Sequence, residues 1–398
     1  MTTVQLFLLA LFLIYIVPLS IWKFGRTDYF APLVTIQILV GIAMGPGILG
    51  HLSQETYQII FSPSVIQLLN GLAFWGVMIF VFLAGIELDL QGLKNKKTDT
   101  LIANIFAIGV PLIFGSICAI FLMKTFPDLA GPKASTWQFA LGIGMASAVT
   151  ALPILVLFME KLKILRLPFG QRILRYASLG DIFLWSILGV ILLDWNRLQL
   201  ELLFLLTYFL AGFYFRKIIP KLKYDEKIYA SLIWLILCAL GADYCGMHFM
   251  VGAFLAGAFL EIDWFKKEKI DSLRLHVLIL LMPIFFLSTG LKTHWELDSS
   301  IVIGIALIIF FVQLLGKFIG IKIAGSLLGW KKGESSIVAW LLQTKALIEI
   351  IFVNILLDKE IISNQMFTVM LLMALISTMC TIPMVMPKLK KALQTEID

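Results

Sequence analysis

The chain has 398 residues, of which 60% are hydrophobic and 14% are charged, whereas soluble globular proteins have about 45–50% and about 25%. This composition excludes an ordinary soluble domain and predicts an integral protein of the lipid bilayer with many spans. The net charge of +7 does not indicate nucleic-acid binding, because the lysines and arginines lie mainly in short stretches between apolar runs.

Thirteen apolar runs, some of them interrupted, are long enough to cross a membrane. They are roughly residues 4–22, 30–49, 66–88, 100–123, 136–160, 173–193, 199–215, 228–243, 247–262, 275–291, 299–328, 335–357 and 365–387. The first run has no basic segment before it and no small-residue cleavage site after it, so we predict a span there and not a signal peptide.

The number of basic residues alternates between high and low in successive connections between these runs. By this assignment about 24 lysines and arginines fall on one side of the membrane and about 5 on the other. Since basic residues gather on the cytoplasmic side, we expect the N-terminus outside and the C-terminus in the cytoplasm, with the protein in the plasma (inner) membrane.

Thirteen spans divide into two sets of six and one linker, and six-span repeats separated by one span must be inverted in the membrane. We predict an all-α polytopic fold in a single transmembrane domain over residues 1–398, without a soluble regulatory domain. Repeat one would cover about residues 1–195, a linker helix about 196–227, and repeat two about 228–390.

Corresponding runs of the two predicted repeats, the fifth and the twelfth, both contain an interruption. The fifth has Thr150-Ala151-Leu152-Pro153, in which the proline removes a backbone donor. The twelfth has Gln343-Thr344-Lys345 followed by Glu349, which places charge in the middle of a span. Because lipid cannot satisfy freed backbone groups, we expect both broken helices to face a cavity in the core.

Asp181 lies near the middle of the apolar run 173–193. A carboxylate there costs several kcal/mol, and membrane proteins keep such groups mainly for function. We therefore interpret Asp181 as the group that binds both ion and proton, with Ser178, Gly180 and Thr150 as further members of the site. The alternative is a structural aspartate that is permanently hydrogen-bonded.

Three more charged residues lie inside the second predicted repeat. Lys317 is in mid-span, where a lysine loses its proton or finds a carboxylate, so we expect it to approach Asp181; the alternative is snorkelling to the surface. Lys345 and Glu349 are four residues apart and would share one helix face. We interpret them as an internal pair that, with Pro153, supports the broken helices.

The sequence contains none of the motifs of common enzymes: no HExxH, no GxSxG and no phosphate-binding glycine loop. We therefore expect a protein that is not an enzyme, without a cofactor and without a resident metal.

Six passages in family order resemble the monovalent cation:proton antiporter-2 family of the sodium/proton exchanger superfamily. They are Gly41–Gly50, Phe82–Asp89, Thr150–Pro153 with Glu160, Gly180–Asp181, Gly252–Phe259 and Thr344–Asp358. Thr344–Glu349 is most similar to the plant cation/proton exchanger branch, which usually has glycine where this chain has Ala346.

The resemblance implies a homodimer built from a dimerisation domain and a mobile core domain. It assigns the exchange aspartate to Asp181 and the core lysine to Lys317. Gly180 departs from the pattern, because many relatives place Asn, Asp or Gln immediately before the exchange aspartate. A side-chain ligand and a second titratable group are therefore missing at that position.

The predicted mechanism is competition between H⁺ and Na⁺ or K⁺ for Asp181, with helix carbonyls near Thr150 supplying oxygen dipoles and alternating access moving spans four to six and eleven to thirteen. Three other functions remain open at this point. They are a sodium-coupled symporter of an organic anion on a similar fold, a channel-like potassium efflux pathway, and an intramembrane enzyme or inert membrane subunit.

Overall fold

The computed structural model describes residues 2–27, 31–86, 97–165, 167–193, 198–293, 299–331, 333–345 and 347–394. Within these ranges the chain is helical, with short connections and a single antiparallel bridge between Ala130 and Ile362. The predicted all-α class is confirmed. Helices satisfy their backbone groups internally, which is what the apolar interior of a membrane requires.

Eighteen α-helices follow one another in the described residues. Their bounds are α1 Thr3–Phe24, α2 Leu33–Met44, α3 Leu49–Leu52, α4 Gln54–Ile60, α5 Pro63–Ile86, α6 Lys97–Thr125, α7 Thr136–Ala148, α8 Leu152–Lys161, α9 Pro168–Ile191, α10 Leu198–Ile218, α11 Tyr224–Tyr244, α12 Phe249–Ala258, α13 Lys267–Leu280, α14 Met282–Leu291, α15 Ser299–Leu327, α16 Glu334–Leu341, α17 Leu347–Asp358 and α18 Asn364–Gln394.

Ten helical segments of the described chain are long and apolar enough to cross a membrane. The other three predicted runs coincide with the pair α7 and α8, the ten-residue helix α12, and the pair α16 and α17. Since these helices are short or interrupted, the count of thirteen crossings stays a prediction.

One compact unit comprises the described residues of 1–62, 89–188 and 289–398. In it α6 packs against α7 and α15, and α15 packs against α16 and α18. Runs four to six, up to residue 188, and runs eleven to thirteen all lie in this unit. It therefore contains both interrupted helix pairs and Asp181.

The second compact unit comprises the described residues of 63–88 and 189–288. Here α12 packs against α5 and α11, and a Cβ on Gly257 would collide with the backbone carbonyl of Phe82. Tyr208 Oη donates to the Leu255 carbonyl at 2.8 Å, and Trp234 Nε1 donates to the Ala256 carbonyl at 3.2 Å. The small-residue passage 252–259 thus serves close helix packing.

Glu87, Asp89 and Ala346 lie outside the described residues, as does the side chain of Pro153. The predicted boundaries of the inverted repeats and the linker stay predictions.

Candidate functional site

The two interruptions cross each other in the first unit. Residues 149–151 separate α7 from α8, and residues 342–345 lie between α16 and α17. The Ala151 amide donates to the Thr344 carbonyl at 2.7 Å, and Thr150 Oγ1 donates to the Leu342 carbonyl at 2.6 Å. Each broken segment therefore satisfies backbone groups that the other has freed.

Two lysine ammonium groups occupy the carboxyl end of α7. The last carbonyls of a helix have no intrahelical donor and form the negative end of its dipole. Lys345 Nζ donates to the carbonyls of Ala146 at 2.7 Å and Ser147 at 2.8 Å, and Lys317 Nζ donates to that of Ala148 at 2.7 Å. These oxygens explain how both cations are accommodated in the interior.

Lys317 has a further carbonyl partner on α6, created by a proline. The helical donor for the Ala107 carbonyl would be the amide of residue 111, and Pro111 has no N–H. Lys317 Nζ donates to that carbonyl at 3.1 Å. A Cβ on Gly316 would lie 2.7 Å from Pro111 Cα, so glycine beside the lysine permits the close approach of α15 to α6.

Lys345 and Glu349 form a fully buried ion pair, with Nζ and Oε2 separated by 3.8 Å and both side chains 0% exposed. Glu349 lies in the first turn of α17, where the helix dipole favours negative charge. Lys345 precedes α17 and belongs to the crossing segment. The expectation that both residues share one helix face is therefore wrong, because the helix begins after the lysine.

A small cavity lies beside the crossing. It is lined by Asn104, Ala107, Ile108, Ala148, Thr150, Tyr176, Ala177, Gly180, Asp181, Leu184, Lys317 and Leu342. Its volume for the centre of a water-sized sphere is about 10 Å³, which is room for about one water molecule. Asp181 is 5% exposed and Lys317 is 1% exposed.

The cavity brings together four of the residues singled out from the sequence: Thr150, Gly180, Asp181 and Lys317. Ser178 is half-buried and does not belong to the cavity lining. Pro153 lies in the first turn of α8, where proline is well tolerated because that amide has no helical partner. Lys345 and Glu349 lie at the crossing but not in the cavity wall.

Sequence reasoning missed two polar members of the cavity lining, Asn104 and Tyr176. Tyr176 stacks on Trp330 with ring centroids 5.9 Å apart, and the guanidinium of Arg172 lies 5.2 Å from the Trp330 ring. Arg172 also pairs with Glu334. A polar residue within an apolar run was the only available signal for Asn104.

The arrangement can hold one small cation. Asp181 offers a negative charge, while Thr150 offers a neutral oxygen in the same cavity wall. Such oxygens can replace the hydration shell of a monovalent ion. The carbonyls of Ala146, Ser147 and Ala148, which precede Thr150 at the end of α7, accept hydrogen bonds from lysine ammonium groups in this structure.

Comparisons with known proteins show that the chain has relatives over most of its length. The sequence model of the family described as "Sodium/hydrogen exchanger, transmembrane" matches residues 8–388. The chain is 29% identical over 372 residues to the Na(+)/H(+) antiporter NhaS4 of Synechocystis sp., covering 89% of this chain and 90% of that protein.

A plant relative is similar over a part of its length. The chain is 28% identical over 376 residues to Cation/H(+) antiporter 17 of Arabidopsis thaliana, covering 89% of this chain but 45% of that protein. The chain thus spans less than half of this plant relative.

A solved structure shows the same fold. The sodium proton antiporter MjNhaP1 of Methanocaldococcus jannaschii superposes with a TM-score of 0.65 at 16% identity, covering 98% of this chain and 99% of that chain. The predicted antiporter fold is confirmed.

Proposed function

Because the chain belongs to the sodium/hydrogen exchanger family, we propose that it is a secondary antiporter that exchanges a monovalent cation, Na⁺ or K⁺, for H⁺ at Asp181. The observation that carries the proposal is the buried Asp181 in one small cavity with Lys317 and the crossing segments. Relatives named as Na⁺/H⁺ and cation/H⁺ antiporters support the class of reaction.

Competition for one carboxylate couples the two ions. The charged carboxylate binds either a cation or a proton, and each neutralises it. An empty and charged site crosses an apolar barrier poorly, so the two ions are exchanged and not leaked. The proposed alternating access moves spans four to six and eleven to thirteen as one rigid group.

Lys317 is the internal competitor of the cation. Its ammonium binds the Ala148 and Ala107 carbonyls and lies 3.4 Å from Thr150 Oγ1. A cation that binds Asp181 and Thr150 brings a second positive charge next to this ammonium. Lys317 then either moves away or releases its proton. Proton release would add a second proton to the cycle.

The size of the cavity favours one small ion over the organic anion of a symporter, because about 10 Å³ holds about one water molecule. Sodium and potassium are both retained in the proposal. We further propose, from the family resemblance and the loop charges, a homodimer in the plasma membrane with the C-terminus in the cytoplasm.

Proteoliposomes with an internal pH dye test the proposed function. An imposed gradient of Na⁺ or K⁺ should drive proton movement through the parent protein, and Asp181→Asn should abolish this flux. The matched control is Asp128→Asn, which removes an exposed carboxylate of the connection between α6 and α7 and should keep the flux. Parent-level flux in a correctly inserted Asp181→Asn protein would refute the proposal, and flux that requires an organic solute would favour the symporter.

A further inference from the structure

Asn104 is a polar side chain of α6 that the mechanism above does not use. It is 2% exposed and lines the same cavity as Gly180 and Asp181. Burying an amide is costly unless its polar atoms find partners. The surroundings of its amide nitrogen and of its amide oxygen indicate what each atom does.

The amide nitrogen is fixed on its own helix. Asn104 Nδ2 donates to the Thr100 carbonyl one turn earlier, at 2.9 Å. Turning the amide over would place its oxygen against that carbonyl, so the bond sets the orientation. The oxygen is thereby directed away from Thr100.

The amide oxygen of Asn104 faces Gly180 on α9, the residue immediately before Asp181. An ideal Cβ at Gly180 would lie 3.2 Å from Asn104 Oδ1 and 3.6 Å from Ile108 Cδ1. The first distance is tighter than nine in ten real Cβ contacts, so a side chain here would require Asn104 to shift. Glycine in the middle of α9 weakens the helix, and here it leaves the room that the Asn104 oxygen occupies.

We propose that Asn104 is a ligand of the transported cation, with Oδ1 sharing the ion with the Asp181 carboxylate. This inference rests on the proposed function and adds a residue to its site. A neutral amide oxygen attracts a dehydrated cation but does not take up a proton. Asn104 therefore favours the cation-bound state of the site over the protonated state. Position 180 is glycine because the Asn104 oxygen, supplied by α6, occupies the space that a side chain there would need.

The first test measures cation binding and cation-driven flux in Asn104→Leu, which keeps the approximate size and removes the oxygen. Losing one good ligand should raise the Na⁺ or K⁺ concentration for half-maximal flux about tenfold. Thermal stabilisation by the same salt should require a correspondingly higher concentration. At a fixed cation concentration, the acidic limit of activity should move to higher pH, because the proton then meets a weaker competitor.

The matched control is Asn354→Leu. Asn354 is also buried and also donates from Nδ2 to the carbonyl one turn earlier, Ile350, at 2.9 Å. It lies outside the cavity lining, so its replacement should leave the cation dependence at the parent value. An equal change in both variants would mean that losing a buried amide, and not losing a ligand, causes the effect, and would overturn the proposal.

The second test moves the amide from one helix to the other. Gly180→Asn alone should impair cation binding by crowding Asn104, and Asn104→Gly alone should impair it by removing the oxygen. The double variant should recover cation binding relative to both single variants. If the Asn104→Leu protein does not insert into the membrane, Asn104→Ala is used for the first test in its place.

The outcomes separate this inference from the proposed function. Parent-like cation dependence in Asn104→Leu or Asn104→Ala, with flux still abolished by Asp181→Asn, removes only Asn104 from the site. Parent-level flux in Asp181→Asn refutes the proposed function itself. Failure of the double variant to exceed either single variant refutes the ligand role and leaves Asn104 with a packing role.

Discussion

Pro111 and Lys317 are complementary: the proline leaves the Ala107 carbonyl without its helical donor, and the lysine supplies one at 3.1 Å. A missing hydrogen bond within α6 and a buried cation on α15 thus complement each other. Each would be unfavourable alone, since a buried acceptor needs a donor and a buried ammonium needs acceptors.

Removing the charge of Lys317 should change the pH dependence of exchange. In Lys317→Gln the proton should be held more tightly by Asp181, because the neighbouring positive charge that favours the carboxylate is gone. Exchange should then begin at higher pH, and any response to membrane voltage should weaken. The measurement is proton flux across a pH series in proteoliposomes with and without an imposed potential.

Lys317→Arg is the control for this prediction, because arginine keeps the charge and holds its proton throughout. It separates charge pairing from proton carriage by residue 317. Parent-like pH and voltage profiles in the glutamine variant would show that Asp181 works without the lysine.

Gly316→Ala should destabilise the protein. Its Cβ would lie 2.7 Å from Pro111 Cα, which is backbone and cannot rotate away, and such overpacking costs about 1–3 kcal/mol. Gly304→Ala on the same helix meets no atom within 4 Å and should stabilise α15 by up to about 1 kcal/mol. Thermal unfolding in detergent compares the two, and equal shifts would contradict the close approach of α6 and α15.

Lys345→Gln should be more destabilising than Glu349→Gln. Breaking a buried pair costs about 3–5 kcal/mol, and the lysine variant also leaves the Ala146 and Ser147 carbonyls without their donor. Lys345→Gln therefore leaves both Glu349 and these carbonyls without a partner, whereas Glu349→Gln removes a partner of Lys345 alone. Thermal unfolding of both variants checks the order; a reversed order would mean that an ammonium without its carboxylate costs more than a carboxylate and two carbonyls without their donor.

The predicted orientation can be tested with single cysteines in a Cys-free background. Lys124 and Lys331 are both exposed and lie on opposite predicted sides of the membrane. An impermeant thiol reagent added outside intact cells should label Lys124→Cys and not Lys331→Cys. Labelling of both from the same side would refute the count of spans between them.

Much of the site could be predicted because charge is costly in an apolar run. Asp181 and Lys317 could be identified from the energetic cost of burying a charge, and Thr150 could be identified from the proline three residues after it. The structure places all three around one cavity. The roles assigned to them stay predictions.

Other features depend on packing that one sequence does not reveal. Asn104 is uncharged, so it gave little signal within its apolar run. The position of Lys345 outside α17 depends on where the crossing segment ends. The partners of Lys317 depend on how closely α6, α7 and α15 approach one another, which Gly316 permits.

The lysines at the end of α7 have a consequence for the unloaded protein. Their ammonium groups are counter-ions attached to the chain by covalent bonds, and in this structure they neutralise the carboxyl end of α7. The junction of the broken helices therefore does not depend on a dissolved ion to keep its shape. The ion of the proposed exchange is therefore not needed to hold the broken helices together, and we expect the protein to stay folded in a medium nearly free of sodium and potassium.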